Sequence, residues 1–333
     1  MRLVLLIGAL LMSQTVLAQA APAQDAPRWS IAIHGGAGTM SRAAMTPEAE
    51  QAHRDALAQA RDAGAKVLSA GGSALDAVEA AIVILEDDPK FNAGRGAVFT
   101  YQGTNELDAS IMDGSTRAAG AVAAATHTKN PIRLARAVME KGPHVFLSGA
   151  GADEFSRDNG LEQVDRDWFA TPERWRQLEE LKARKLGWYD VDLKYGTVGA
   201  VAVDTNGHVA AGTSTGGLTG KRWGRIGDAP IIGAGTYAQN GVCGVSATGS
   251  GEYFIRAGVA RAICARMELN SDDADDAANL VMREVGAMGG SGGVIVIDGN
   301  GRYAWVMNTP GMYRGQLRQG GYPLVQIFAD EDD

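Results

Sequence analysis

Two runs of small and β-branched residues, 198–204 and 208–214, flank the tripeptide Thr205-Asn206-Gly207. This pattern predicts a β-hairpin, because Asn and Gly accept the positive φ angles that a tight turn demands. Thr197 opens the first strand, directly after Gly196, and Thr215 closes the second. A hairpin folds back on itself, so two hydroxyls far apart in sequence meet at one end of it. A threonine hydroxyl is a poor nucleophile without an adjacent base. A cut between Gly196 and Thr197 would supply one, since a free α-amino group has a pKa of about 7.7–8.0. Glycine suits the cut, because its backbone tolerates strained dihedrals and leaves the carbonyl unshielded. Gly-Thr-Val-Gly alone also reads as an ordinary strand opening, so its surroundings carry the argument.

The preceding region, 153–194, loses strand pattern and gains charge (Glu179, Glu180, Lys182, Arg184, Lys185). It reads as an exposed helical segment and linker, where a chain break is tolerated. Upstream, residues 30–33 predict a short strand entering a glycine loop. Thr46-Pro47-Glu48 predicts a helix start, running to about Ser69. Ser73 and Asp76 form a capping pattern for a second helix, over 74–85. Residues 97–101 and 107–112 alternate as a hairpin; 120–125 reads as a buried strand and 132–140 as a helix. Downstream, 253–266 and 272–288 read as amphipathic helices. Residues 293–297 and 303–307 read as a hairpin, and the chain after 315 as less regular. Helix pairs and hairpins on both sides of Thr197 need partner layers. The hairpins imply largely antiparallel sheets and argue against a doubly wound dinucleotide fold.

The amino terminus reads as an address rather than as structure. Arg2 precedes an apolar run over 3–12, which is too short to span a bilayer. Val16-Leu17-Ala18 and Ala18-Gln19-Ala20 both fit a small-residue cleavage site. The expectation is a signal peptide over 1–20 and a periplasmic or secreted product, with no membrane span. A net charge of −8 argues against nucleic acid, which requires clustered Lys and Arg. Export permits a disulfide between the two cysteines, Cys243 and Cys264. The reading favoured here is two free, buried thiols, one in a small-residue strand and one on a helix's apolar face. Two cysteines without clustered histidines make no zinc site.

Six segments, in order, resemble one family. They are Ile33-His34-Gly35-Gly36-Ala37-Gly38-Thr39, Phe91-Asn92-Ala93-Gly94-Arg95-Gly96, Gly196-Thr197-Val198-Gly199-Ala200-Val201, Gly212-Thr213-Ser214-Thr215-Gly216-Gly217, Gly224-Arg225-Ile226-Gly227-Asp228 and Ser246-Ala247-Thr248-Gly249-Ser250-Gly251-Glu252. They are similar to the plant-type asparaginases, or isoaspartyl peptidases, among the N-terminal-nucleophile hydrolases. The resemblance covers nearly all of the chain after residue 28. It implies an α+β fold, a four-layer αββα sandwich built by an α subunit (21–196) and a β subunit (197–333) after autocleavage. It further implies a dimer of such heterodimers.

In this reading Thr197 is the nucleophile and Thr215 orients it or polarises its amine. Thr248 and the Gly249 amide would bind the developing oxyanion, since fixed donors lower the barrier where charge appears. Arg225 would take the α-carboxylate of an L-aspartyl group bidentately and Asp228 its α-ammonium. Gly251 would add a carbonyl to the ammonium, and Asn92 would donate its amide near the nucleophile. No organic cofactor is expected. The resemblance also implies a sodium ion on backbone carbonyls of the loop that includes Leu85, Glu86, Asp88, Phe91, Ala93 and Arg95. The long cation Arg95 departs from the pattern there. The substrates implied are β-aspartyl dipeptides and L-asparagine. Two alternatives stay open. A glycosylasparaginase is disfavoured because Gly196, not Asp, precedes the nucleophile. The other is an uncleaved periplasmic amino-acid-binding protein that kept the Arg225–Asp228 site.

Overall fold

The computed structural model of the chain describes residues 29–184 and 196–331. The expected leader over 1–20 and most of the linker before Gly196 lie outside the described residues. Strand β1 (Ser30–Gly38) opens the fold, followed by α1 (Pro47–Ser69) and α2 (Ala74–Asp87). The Thr46 hydroxyl accepts from Ala49 N–H and the Ser73 hydroxyl from Asp76 N–H, so both predicted caps form. Then come β2 (Leu107–Asp113), β3 (Ala119–Ala125), α3 (Pro131–Lys141), β4 (Phe146–Ser148), α4 (Gly149–Asp158) and α5 (Pro172–Arg184). After the break lie β5 (Val198–Val203), β6 (Val209–Thr215), β7 (Thr236–Gln239) and β8 (Cys243–Gly249). The chain ends in α6 (Gly251–Ala257), α7 (Val259–Leu269), α8 (Ala274–Ala287), β9 (Gly292–Asp298), β10 (Tyr303–Met307), β11 (Gly311–Arg318) and β12 (Leu324–Phe328).

The strands form two sheets, ordered β12-β11-β1-β5-β6-β2-β3-β4 and β10-β9-β8-β7. Every pair is antiparallel except β3 with β4. The larger sheet is buried on both faces, and its alternating residues divide between two cores. Ile31, Ile33, Val198, Ala200, Ala202 and Ala210 face α1, α2 and α3. Ala32, Val201, Val203, Val209 and Ala211 face the smaller sheet, whose far side is covered by α7 and α8.

Several expectations need correction. Residues 97–101 form no strand; only an isolated bridge joins Phe99 to Asn105. Both edges of β2 are taken by β3 and β6, while the Asn105 side chain donates to the carbonyls of Ala97 and Val98. The single helix expected over 253–266 is two, α6 and α7, because Gly258 takes a left-handed φ of 59° between them. The glycine-rich stretch after Ile33 belongs to β1 itself, with an irregularity between His34 and Gly36. The chain after 315 is regular, since β11 and β12 pair as a hairpin at the sheet edge. Cys243 and Cys264 are not free: they form a disulfide that ties β8 to α7, with Cα atoms 5.7 Å apart. Their burial was read correctly, but the packing of α7 on β8 brings them within bonding reach.

At Gly120, the backbone of α3 packs directly against β3. A Cβ there would strike the Ala135 carbonyl oxygen and lie 2.5 Å from Met139 N. Backbone cannot yield as a flexible side chain does, so Gly120→Ala is expected to cost about 1–3 kcal/mol. A lower urea midpoint with an unchanged slope would report it, and an unchanged midpoint would mean that α3 is free to shift.

Candidate active site

Thr197 sits just before β5, and Thr215 ends β6. The register Val198↔Ser214 brings the two side by side. Thr197 Oγ1 donates to Thr215 Oγ1 at 3.0 Å, and the same oxygen accepts Gly217 N–H at 3.0 Å. With both acceptor positions filled, the Thr215 proton points elsewhere, and the two hydroxyls are held in a fixed order. The backbone N–H of Asn92 donates to the Gly196 carbonyl at 3.0 Å, which polarises the bond expected to break. The Asn92 side chain does not donate to Thr197, contrary to the expectation. Its amide nitrogen reaches the Gly217 carbonyl at 2.7 Å and its oxygen accepts from Val98 N–H at 2.9 Å. Asn92 therefore clamps the glycine turn after Thr215 to the loop before β2.

Behind Thr197 lies a group that the sequence does not reveal. The sequence presents His34 only as part of a glycine loop, yet its ring is fully buried. Its Nδ1 donates to the Thr197 carbonyl at 3.0 Å, which makes Nε2 the acceptor for the Ser246 hydroxyl at 2.8 Å. Ser246 accepts in turn from Thr213, at 2.7 Å. The contacts continue to Thr236 at 2.5 Å and to Ser110 at 2.8 Å, which lies 2.6 Å from the Ala229 carbonyl. One line of buried polar groups thus crosses between the sheets, from Thr197 to the residue after Asp228. Burial pushes the His34 pKa down to about 3, against the opposing pull of the Thr197 carbonyl. The imidazole stays neutral and acts as a positioning group rather than a proton carrier.

The buried atoms without a hydrogen-bond partner among the described residues include Thr248 Oγ1 and Asp228 Oδ2, and, beside the end of β6, Glu86 Oε2 and Asp108 Oδ2. Buried polar atoms are normally paired, so an orphan beside Thr197 and Arg225 is a candidate contact for a ligand. Thr248 lies two residues along β8 from Ser246, on the same face of the strand. Its free hydroxyl points from that face toward the nucleophile's sheet. Burial pushes the Asp228 pKa up to about 7, outweighing the nearby Arg225 guanidinium. A carboxylate so placed gains by receiving a cation. A Cβ built on Gly251 would lie 2.8 Å from Arg225 Nη2 and 3.0 Å from Asp228 Oδ1, so this glycine separates the two. Arg225 is held by Glu252, whose carboxylate accepts from Nε at 3.0 Å and from Nη2 at 3.1 Å. Glu252 ends the sixth motif, and nothing local in the sequence marks it as the partner of Arg225.

The expected carbonyl loop, 85–95, lies beside this site. Carbonyl oxygens of Glu86, Pro89 and Phe91 crowd the faces of Gly94 and Gly96, where any side chain would strike them. Those of Asp88 and Ala93 already accept from Phe91 and Gly96 N–H. The Glu86 side chain turns away, accepting from Ser214 Oγ and Ile132 N–H, and burial pushes its pKa up to about 8. Arg95 extends outward, its guanidinium 4.7 Å from the Trp168 ring centre. No cluster of His, Cys, Asp and Glu suited to a metal exists among the described residues.

Comparison with known proteins accords with this geometry. The sequence profile of a family described as asparaginase matches residues 27–327. The chain belongs to the asparaginase family. It is 48% identical over 313 residues to the isoaspartyl peptidase of Escherichia coli, covering 91% of this chain and 97% of the relative. It is 42% identical over 306 residues to the isoaspartyl peptidase/L-asparaginase of Homo sapiens, covering 91% and 96%. A probable isoaspartyl peptidase/L-asparaginase of Arabidopsis thaliana is 40% identical over 325 residues, covering 90% and 99%.

In this asparaginase-family chain the buried His34 has a consequence for acid stability. Its folded pKa lies below the ordinary value of 6.5, so the unfolded state binds more protons once pH falls below that value. The stability it permits is complete above pH 6.5 and is lost as pH falls toward about 3. Replacing His34 by Asn, which keeps a donor near the Thr197 carbonyl, removes this loss. The stability gap between wild type and His34→Asn is expected to narrow from pH 7 to pH 4 in urea titrations. A constant gap would show that the ring is not the acid-sensitive group.

Proposed function

We propose that the chain is a self-processing threonine hydrolase that cleaves isoaspartyl peptides and L-asparagine. The observation that carries this reading is the Thr197–Thr215 hydroxyl pair, set beside the orphaned Thr248 hydroxyl and Asp228 carboxylate. The names carried by relatives that span nearly the whole chain support it.

Processing begins when Thr197 Oγ1 attacks the Gly196 carbonyl carbon, whose oxygen is polarised by Asn92 N–H. The peptide C–N bond breaks as an ester forms on Oγ1, and water hydrolyses the ester. The new α-amino group of Thr197 then serves as the base for its own hydroxyl. In turnover, Oγ1 attacks the side-chain carbonyl of an L-aspartyl group. Thr248 Oγ1 and Gly249 N–H receive the developing negative charge. The amine departs with a proton returned by the α-amino group, and water releases aspartate from the ester. Arg225 takes the substrate's α-carboxylate, while Asp228 and the Gly251 carbonyl take its α-ammonium. Asn92 acts by holding Gly217, which in turn fixes Thr215.

The packing described above supports a four-layer αββα arrangement, shared by an α subunit ending at Gly196 and a β subunit starting at Thr197. Two such heterodimers form the working dimer in this reading. The carbonyls gathered at Gly94 and Gly96 suit a hard monovalent cation such as sodium, held by residues of 85–95. Its role would be to stiffen that loop, and Arg95, turned toward Trp168, leaves it room. The Cys243–Cys264 disulfide agrees with an oxidising compartment and with an exported chain that has lost residues 1–20.

A denaturing gel of purified protein should show two fragments, the smaller beginning at Thr197. Thr197→Ala should give one band and hydrolyse no β-Asp-Leu; a Thr197→Ala protein that still splits there would overturn the assignment. The Asp228 pKa near 7 sets a second expectation. Below that pH the carboxyl is neutral and cannot pair with an ammonium. The Kd of cleaved enzyme for L-aspartate should therefore fall by about tenfold between pH 6 and pH 8, as the charged fraction rises. Calorimetry across that range checks it, and Asp228→Asn should flatten the dependence. Retention of the full slope in Asp228→Asn would assign it to another group.

A further inference from the structure

A guanidinium can receive a carboxylate along two edges, one formed by Nε and Nη2 and the other by Nη1 and Nη2. In Arg225 the first edge is already filled, because Glu252 accepts from Nε and Nη2. The second edge is bordered by three glycines. A Cβ on Gly227 would lie 2.8 Å from Nη1, one on Gly251 2.8 Å from Nη2, and one on Gly217 3.6 Å from Nη1. No acceptor among the described residues bonds Nη1. Gly217 is the turn that donates to Thr215 and is clamped by Asn92, so this open edge faces the nucleophile's side of the site.

We propose that Glu252 is a specificity-determining positioning residue, which locks one edge of Arg225 so that the other is aimed at the substrate's α-carboxylate. This rests on the hydrolase reading above.

Three observations give the lock its strength. Glu252 lies in the first turn of α6, directly after Gly251, so its backbone is fixed by the helix that also places Gly251. The Arg225 side chain is only 16% exposed, whereas Glu252 is 37% exposed at the rim. Glu252 therefore sits nearer the rim, and the guanidinium it holds lies deeper in the site. The contact is bidentate, which fixes the plane of the guanidinium and not merely its position. A long side chain that is already ordered does not have to be immobilised when substrate arrives, and such preorganisation raises affinity.

The rival reading is that Glu252 mimics the substrate carboxylate and competes with it for Arg225. The two readings predict opposite signs. If Glu252 aims Arg225, Glu252→Ala lets the guanidinium swing and KM for β-Asp-Leu rises by about tenfold or more, with a smaller effect on kcat. If Glu252 competes, Glu252→Ala exposes an uncompensated cation and KM falls.

The test uses self-cleaved protein and two substrates, β-Asp-Leu and the same dipeptide with its aspartyl α-carboxyl amidated. Wild type should prefer the free carboxylate strongly. Glu252→Ala should lose most of that preference through the carboxylate substrate alone, since the amide cannot use the fork. Glu252→Gln keeps one acceptor for Nε and should fall between the two, and it serves as the measured variant if Glu252→Ala fails to mature. A general loss of folding would lower both substrates together and overturn the proposal. So would a fall in KM, or an unchanged ratio between the substrates. Failure of wild type to turn over either substrate would instead overturn the hydrolase reading and leave the role of Glu252 separate from it.

Discussion

The hydrogen-bonded register of three neighbouring strands, β1, β5 and β6, governs this site. Pairing Val198 with Ser214 sets Thr197 beside Thr215, and pairing His34 with Gly199 sets the imidazole under the Thr197 carbonyl. A slip of one residue would turn both threonines to the opposite face and carry His34 out of reach of Thr197. The register is held by burial on both faces of the sheet, since alternating residues feed two separate cores. The geometry of the hydroxyl pair is thus secured by apolar packing far larger than the pair itself.

That apolar frame encloses an unusually polar line. His34, Ser246, Thr213, Thr236 and Ser110 are buried between the sheets and hydrogen-bonded one to the next. Each would be costly if left unpaired, so the line tolerates only one arrangement of the two sheets. Gly199 makes room for it, because a side chain there would strike both Ser246 and His34. The same interior leaves Thr248 Oγ1 and Asp228 Oδ2 without partners. Both lie close to the polar line, on β8 and beside its Ala229 end.

Much of this was legible in the sequence. The α1 and α2 caps, the β5–β6 hairpin and the β9–β10 hairpin are local features, readable from capping residues and from period-two alternation. Thr215 was read as returning to Thr197 because a hairpin permits no other result. The misses have a common cause. The expected 97–101 strand lost its place because β2 finds better partners elsewhere. The helix over 253–266 broke at one glycine whose amphipathic neighbours concealed it. The β11–β12 hairpin was passed over because edge strands carry weak patterns. His34 looked like loop, although its ring is the centre of a buried network. Asn92 was given a role at the nucleophile, yet its side chain is spent on Gly217 and Val98.

The sequence by itself determined that Thr197 and Thr215 meet at one end of a hairpin, and it supplied the residue types that the proposed reaction assigns to a nucleophile and to a substrate with one carboxylate and one ammonium. Those follow from side-chain chemistry and from spacing within single hairpins and loops. Only the tertiary structure decided which atoms are free. Whether Arg225 offers one edge or two, whether Asn92 faces the nucleophile or the turn beside it, and whether two cysteines meet all depend on contacts between residues far apart in the chain. Local patterning constrains which face a side chain takes, but the packing of α6, α7 and the second sheet against the first determines what it meets there.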